Sequence, residues 1–555
     1  MSGLLHMHRF PLPRWLMAPP RGDMLVIALL WLLTVTSALS RSFLPIDETR
    51  YVSVAWEMWH THSFWVPHMN GETYADKPPL LFWLIHAGWA IFGVTEWWPK
   101  LIGPLASLLA LGQLYRIARQ LGYAQTSASL APLALMAMLM WNLYSGALMF
   151  DILLTACLLG ALSPLVSDHF TLRKALVSGI WLGLALLAKG PAVFVTLLPI
   201  VASIPWWRLA PLGGAGWRRL ALSLLIGSAL LASWALSAAW LGGRDYAQDL
   251  LWGQSVNRLQ NSMAHARPFW WYFPLLPLLT FPWLLWRPAW PLRPRQSRQR
   301  LFWIWMITPF AIFCFISGKQ IHYLMPMLPA LALLIMDRLA SSPTAPNTVV
   351  RTRLPSLAIA VLGIVGCGLS LFGKGAVGPD NLSTTGAVAL VLLAVGIWRQ
   401  RWPDGASAAR GLAVGTAIAI FVATQWMMGP FWSRYDVRAP GELLGTLESR
   451  QLPVAYNGGG YQATFQFAGR LTRPLMTLDN AAEALCRYRL AYPDGWLVTR
   501  HRDIDQLTVD EGAVHHFDYR SGQLDILPIS AIRPEAFDPD CVAPADRAEK
   551  KHPMD

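Results

Sequence analysis

Charge is scarce in this sequence. Only 14% of its 555 residues are Asp, Glu, Lys or Arg, against roughly 25% in a soluble globular chain. Acidic residues are rarest before position 431, where 14 stand against 31 basic ones; residues 431–555 hold 18 acidic and 14 basic side chains. The five cysteines fit no metal-binding spacing, which excludes a zinc-ribbon module or a dense disulfide scaffold. Internal repeats, low-complexity tracts and nucleic-acid-binding modules are also missing. What is there is grease: 54% hydrophobic and 12% aromatic residues. Uncharged runs such as 24–39 and 220–241 suit a roughly 30 Å hydrocarbon layer at about 1.5 Å per residue. Lipid is the solvent this composition asks for, and soluble, fibrous and disordered classes are excluded.

The net charge of +13 then reports topology. Candidate spans lie near 24–42, 101–118, 127–143, 148–167, 174–188, 191–205, 219–241, 269–286, 301–317, 321–337, 355–373, 383–398 and 411–428. With these thirteen, Arg9, Arg14 and Arg21 share a side with Arg116 and Arg119, with Arg208, Arg218 and Arg219, and with the Arg287–Arg300 and Arg338–Arg353 clusters. Counting the run 79–94 as a further span would move every later cluster to the other face. The positive-inside rule therefore makes 79–94 an interfacial or re-entrant helix, with a cytoplasmic segment 1–23 and an external C-terminus. The membrane portion runs over 24–430, with outer loops at 43–98 and 242–268. From 431 to 555 strand-length apolar runs alternate with helical stretches, which predicts a small α/β domain outside. Cys486 and Cys541 would face an oxidising compartment there and could pair.

A charge inside a span costs about 2.5–3.5 kcal/mol on insertion scales, so each needs a reason. Asp151 is flanked on both sides by long apolar sequence and falls at the outer end of its span. The plain alternative is a carboxylate stabilised by a helix N-terminus. Other polar groups gather on the same face. In Asp47-Glu48-Thr49-Arg50-Tyr51, helical spacing puts Asp47, Arg50 and Tyr51 side by side, and Trp56, Trp59, Phe64 and Trp65 then suit the headgroup level. Tyr74-Ala75-Asp76-Lys77-Pro78-Pro79 follows as an extended segment. Lys189 precedes Pro191, the loop 242–268 ends in His265-Ala266-Arg267-Pro268, and Lys319, His322 and Tyr323 bracket another span. Lysine, arginine and tyrosine bind phosphate, while carboxylates beside them take a proton or orient a metal. A phosphate head on a greasy tail fits both the charges and the lipid access. Snorkelling accounts for Lys100 and Lys374, and less well for Lys77 and Lys189, which lie beside prolines.

The Asp47–Tyr51 box, Asp76-Lys77-Pro78-Pro79, Asp151 and His265-Ala266-Arg267-Pro268-Phe269-Trp270 resemble the ArnT family. These are undecaprenyl-phosphate aminoarabinose:lipid A transferases of the protein O-mannosyltransferase-like GT-C class. The resemblance implies an all-α GT-C membrane fold of about 13 transmembrane helices plus interfacial helices, a periplasmic α/β domain, and residence in a bacterial inner membrane. It implies Asp47 as principal catalytic carboxylate and Asp151 as its support. Arg50, Tyr51, Tyr74, Lys77, Lys189, Arg267 and Tyr323 would hold the donor phosphate. Asp76 and His265 would hold a divalent metal (Zn, Mg or Mn). Two departures stand out: Asp76 replaces a family glutamate, and Lys319-Gln320-Ile321-His322-Tyr323 replaces a Lys-Leu-Pro segment.

The expected reaction moves a monosaccharide, best read as 4-amino-4-deoxy-L-arabinose, from undecaprenyl phosphate to lipid A. One rival is a polyprenyl-phosphate hexose or mannose transferase acting on protein or another glycan. A second is a lipid flippase, which calls for mid-membrane charges and inverted repeats; charges gathered on one face weigh against it.

Overall fold

The computed structural model describes residues 19–250, 267–290, 294, 296–341, 349–375, 378–479, 481–504 and 507–533. His265 and Cys541 lie outside these residues, as does most of the loop 242–268.

Helix α1 (Arg21–Leu39) opens the apolar part and is followed by α2 (Asp47–His60), a two-residue-per-strand hairpin of β1 (His68–Met69) and β2 (Glu72–Thr73), α3 (Leu80–Phe92) and α4 (Trp97–Gln120). α2 turns Tyr51, Val52, Ala55 and Met58 to the interior, the i, i+1, i+4, i+7 stripe of an amphipathic helix. α3 begins where Pro78-Pro79 release the chain and has 13 residues, about 20 Å, too short to cross a bilayer. α5 (Phe150–Val166) is enclosed on all sides, each of its 17 residues being buried, and packs between α4 and α6 (Leu172–Lys189). A helix apolar all round belongs in the middle of a bundle. Asp151 therefore enters the most enclosed helix of the site.

The remaining apolar helices are α7 (Val193–Ala202), α8 (Gly213–Gln248), α9 (Ser297–Phe315), α10 (Leu328–Ala340), α11 (Arg353–Phe372), α12 (Thr384–Arg399) and α13 (Gly405–Phe421). Among the described residues, seven apolar stretches are long enough to cross a membrane, or eight if a bent pair counts as one span. That is fewer than the thirteen expected, for reasons written in the chain. Residues 174–188 and 191–205 merge into one run, Leu172–Ala202, broken at Gly190 (φ 63°). The expected span 127–143 is bent by 74° at extended Met138, and the Leu139 amide there donates to the Phe281 carbonyl (3.1 Å). The stretch 269–286 is a series of short 3₁₀ and α turns, since Pro274, Pro277 and Pro282 each withdraw an amide donor.

Beyond residue 437 the chain forms α14 (Arg438–Ser449), β3 (Val454–Asn457), α15 (Gln466–Gly469), β4 (Met476–Leu478), α16 (Ala482–Ala491), β5 (Trp496–Arg500), α17 (His501–Ile504), β6 (His515–Tyr519) and β7 (Gly522–Pro528). The sheet order is β4-β3-β5-β7-β6, with β4, β3 and β5 parallel and β7 antiparallel to both neighbours. Alternation sorts neighbouring residues to opposite faces. Val454, Val498 and Ile526 join Leu444 and Phe465 on one side; Ala455, Leu497 and Leu527 join Leu485 and Tyr488 on the other. Cys486 is disulfide-bonded.

This α/β unit rests directly on α2, the hairpin and α3. Trp56 Nε1 donates to the Leu471 carbonyl (2.8 Å) and the Phe467 amide to Ser53 Oγ (3.1 Å). Asn70 exchanges hydrogen bonds with the Leu475 backbone (2.9 and 2.8 Å), and Trp89 stacks on Phe467 with ring centres 5.5 Å apart.

Candidate active site

Asp47 and Glu48 occupy the first turn of α2, where the helix dipole favours carboxylates, and then diverge. Glu48 is buried. It is paired with Arg41 and accepts from the amides of Leu44 (2.7 Å) and Leu148 (2.8 Å). Arg41 also donates to the Gly146 carbonyl (3.0 Å). Burial alone would raise the Glu48 carboxyl, but the Arg41 guanidinium and the two amides outweigh it and hold it below its ordinary value. Glu48 thus fastens the start of α2 to the turn that delivers Asp151.

Asp47 faces the other way, its side chain 47% exposed. It accepts from Arg50 and, at 3.3 Å, from the Tyr51 hydroxyl. Arg50 Nη1 also donates to Gln462 Oε1 at 2.8 Å, so the α/β unit reaches the first carboxylate through one guanidinium. Burial, followed by the charges of Asp47 and Tyr74, pushes the Tyr51 phenol well up, against the pull of Arg50. It stays a hydrogen-bond donor at neutral pH.

The second carboxylate, Asp151, is 2% exposed and ion-paired with Lys189. His322 Nε2 lies 3.8 Å from its other oxygen. Lys189 ends α6 because Gly190, with φ 63° and ψ −150°, is its C-cap. A Cβ on Gly190 would lie 3.8 Å from Pro78 Cγ, so the break also sets the Lys77-Pro78 segment beside Lys189. The Lys189 ammonium sits 4.6 Å from the centre of the Tyr323 ring, and His322 packs edge-on to Tyr323 (5.0 Å) and beside Tyr144 (5.9 Å).

The two halves meet at Phe150, whose ring contacts Tyr51 edge-on at 4.8 Å. Tyr74 acts electrostatically on Arg50 and Tyr51. Asp47, Asp151, Lys77 and Lys189 all lie within electrostatic reach of His322. Asp47, Arg50, Tyr51, Tyr74, Lys77, Asp151, Lys189 and Tyr323 therefore form one constellation from five separate stretches of chain. Arg267 has its contacts outside this group. Its guanidinium lies 5.9 Å from the Trp271 ring, its amide donates to Ser317, and its carbonyl accepts from Lys319 Nζ (3.0 Å). Asp76 is exposed beside Lys77. His322, Tyr144 and Gln462 were not among the residues expected at the site. His322 carried a signal in its position next to Tyr323; Gln462 carried none.

An enclosed carboxylate–lysine pair stands beside a half-open carboxylate–arginine pair, at the junction of an amphipathic helix and a helical bundle, an arrangement chemically suited to an anionic group. The fold is that of ArnT from Cupriavidus metallidurans. The structure bound to undecaprenyl phosphate superposes with a TM-score of 0.69 at 19% identity, covering 93% of this chain and all of that one. The apo structure gives 0.70 at 18% identity, covering 92% and 98%. Residues 76–239 match the family described as dolichyl-phosphate-mannose-protein mannosyltransferase. The undecaprenyl phosphate-alpha-4-amino-4-deoxy-L-arabinose arabinosyl transferase of Pseudomonas aeruginosa (strain UCBPP-PA14) is 31% identical over 409 residues, 68% of this chain and 71% of the relative. Transferase 1 of Pseudomonas fluorescens (strain Pf-5) is 30% identical over 321 residues, 54% of this chain. The chain belongs to this family of aminoarabinose transferases. It spans 56% of the length of the P. fluorescens relative.

Proposed function

We propose that the chain is a glycosyltransferase moving 4-amino-4-deoxy-L-arabinose from undecaprenyl phosphate to lipid A at the outer face of a bacterial inner membrane. The observation that carries this reading is the pairing of each carboxylate with a cation inside one constellation, Asp47 with Arg50 and Asp151 with Lys189. In the reaction an acceptor oxygen bonds to the anomeric carbon while the bond from that carbon to the carrier phosphate breaks. Its electron pair leaves with the polyprenyl phosphate. Lys77, Lys189 and Arg50 stabilise that growing charge, the electrostatic contribution that dominates such sites. Tyr51, Tyr74 and Tyr323 donate to phosphate oxygens, and Arg267 holds the donor phosphate with them. An acceptor phosphate is already ionised, so Asp47 orients it; a hydroxyl acceptor would use Asp47 as general base. Asp151 fixes Lys189 in place.

Thirteen crossings suit this reading. Eight crossings come from the seven long helices and the bent pair; the other five are the second half of Leu172–Ala202 beyond Gly190, α5, α9, α12 and the whole turn series 269–286. The arginine clusters then lie in the cytoplasm and the constellation and α/β unit face the periplasm. Under the same reading Asp76 and His265 would hold a divalent zinc, magnesium or manganese ion. Among the described residues that pair offers one exposed carboxylate, Asp76.

Asp47→Asn is expected to abolish transfer in a membrane assay with undecaprenyl-phosphate aminoarabinose while leaving insertion and folding intact. Full activity of that variant would refute the proposal. The match of 76–239 to a mannosyltransferase family favours a second reading, a polyprenyl-phosphate hexose donor with a protein or glycan acceptor. Mass spectrometry of envelope lipids with and without the chain separates the two: loss of aminoarabinose from lipid A supports the first, and unchanged lipid A with a missing hexose elsewhere supports the second.

A further inference from the structure

One cluster in the α/β unit shares no residue with the site described above. Asp525 lies in the middle of β7 between Leu524 and Ile526 and is wholly buried. Strand register places His516 directly opposite it on β6 and Thr499 opposite it on β5. His501 follows two residues after Thr499, at the start of α17. The face that is apolar at Leu497 and Leu527 thus turns polar where β5 ends. There His501 Nδ1 lies 2.7 Å from one Asp525 oxygen and His516 Nδ1 lies 2.8 Å from the other. One ligand atom from each of the three falls within 4.8 Å of the others.

The second observation is Glu511, whose Oε2 is 3.3 Å from His516 Nε2. With its Nε2 facing Glu511, the His516 ring presents Nδ1 to the Asp525 carboxylate and to the space it shares with His501. A carboxylate holding the far nitrogen of an imidazole is also the usual outer support of a metal-bound histidine. Two imidazoles and one carboxylate favour zinc and its neighbours over magnesium or calcium. With zinc bonds of about 2.0–2.2 Å, tetrahedral ligand atoms stand roughly 3.3 Å apart, so the two close nitrogen–oxygen pairs need to open by about half an ångström, and any wider pair within the 4.8 Å set needs to close.

We infer that His501, His516 and Asp525 form a zinc-class metal site, with Glu511 orienting His516 from outside the coordination sphere. The inference does not rest on the proposed transferase activity. It is tested on the full-length chain in detergent, stripped with chelator and titrated with Co²⁺ alone, in a His265→Ala background that removes the other candidate ligand. One equivalent of Co²⁺ is expected, with the ligand-field absorption of a low-coordinate ion, displaced by Zn²⁺. His516→Gln, at a half-exposed position, is expected to lose that equivalent. Glu511→Gln is expected to weaken binding by roughly 10–100-fold, which a purely hydrogen-bonded His–Asp–His cluster would not show. No Co²⁺ uptake in the His265→Ala background, or unchanged uptake and spectrum in His516→Gln, overturns the inference.

Discussion

Lys189 and Asp151 illustrate how much a single pair decides. Both are enclosed, with side chains 12% and 3% exposed. Removing one partner from such a pair costs about 3–5 kcal/mol, because the other charge is left buried and alone. Lys189→Met is therefore expected to lower thermal stability sharply, and Lys189→Met combined with Asp151→Asn to recover much of the loss; unfolding midpoints in detergent measure both. Two other buried carboxylates serve as staples: Asp23 holds Arg410 (2.8 Å), and Asp337 accepts from Gln299 (2.8 Å). Glu48 is a third such anchor and gives a pH dependence with a definite sign. Its carboxyl is held below the ordinary value of 4.5, so its contribution to stability is present above that value and is lost as pH falls through the lower, folded-state value. Glu48→Gln is expected to flatten the acid limb of a stability-against-pH curve below about pH 4.5. The Asp47-Glu48 doublet was legible as a unit. Its division into an open carboxylate and a buried anchor was not, because Leu148 and Gly146, which claim Glu48 and Arg41, are a hundred residues away in sequence.

At the scale of the element, the break after α6 matters most. Gly190 adopts φ 63° and ψ −150°, a region essentially reserved for glycine, where another residue costs roughly 1–3 kcal/mol. Gly190→Ala is expected to leave the protein folded with a lower midpoint. It is also expected to reduce transfer more than binding of undecaprenyl phosphate, since Lys189 is displaced relative to Asp151; a side-by-side transfer assay and lipid-binding titration test this. The sequence showed Lys189 before Pro191, at the point where α6 ends. It also divided 172–202 into two spans; the structure has one apolar run with an internal break at Gly190, the point at which the proposed topology divides it. Hydropathy measures length and greasiness and says little about direction, so the 74° bend in 125–145 and the proline-broken turns of 269–286 were read as ordinary spans. In the tail, strand-like runs near 453–456, 496–499 and 524–529 match β3, β5 and β7. β4 and β6 were missed: the first has three residues, and the second is a mostly polar edge strand with His515, His516 and Asp518.

For the whole molecule, the α/β unit is a roof seated on the site. Its hold on Arg50 comes through Gln462, 412 residues further along the chain, a contact between distant segments that no local pattern announces. Gln462→Ala is expected to reduce transfer by roughly ten- to a hundredfold, on the scale of one hydrogen bond to a charged group, without changing the unfolding midpoint. An activity equal to the parent would show that Arg50 is held well enough by Asp47 alone. The enclosure of α5 has a different consequence. Every position from 150 to 166 is hemmed in by protein, so this helix offers evolution no permissive stripe. α11, with large apolar side chains such as Leu357, Ile364 and Val365 exposed, can drift freely among oily residues. Relatives should thus diverge fastest around the rim of the bundle, leaving the helix that bears Asp151 as its slowest-changing strand of inheritance.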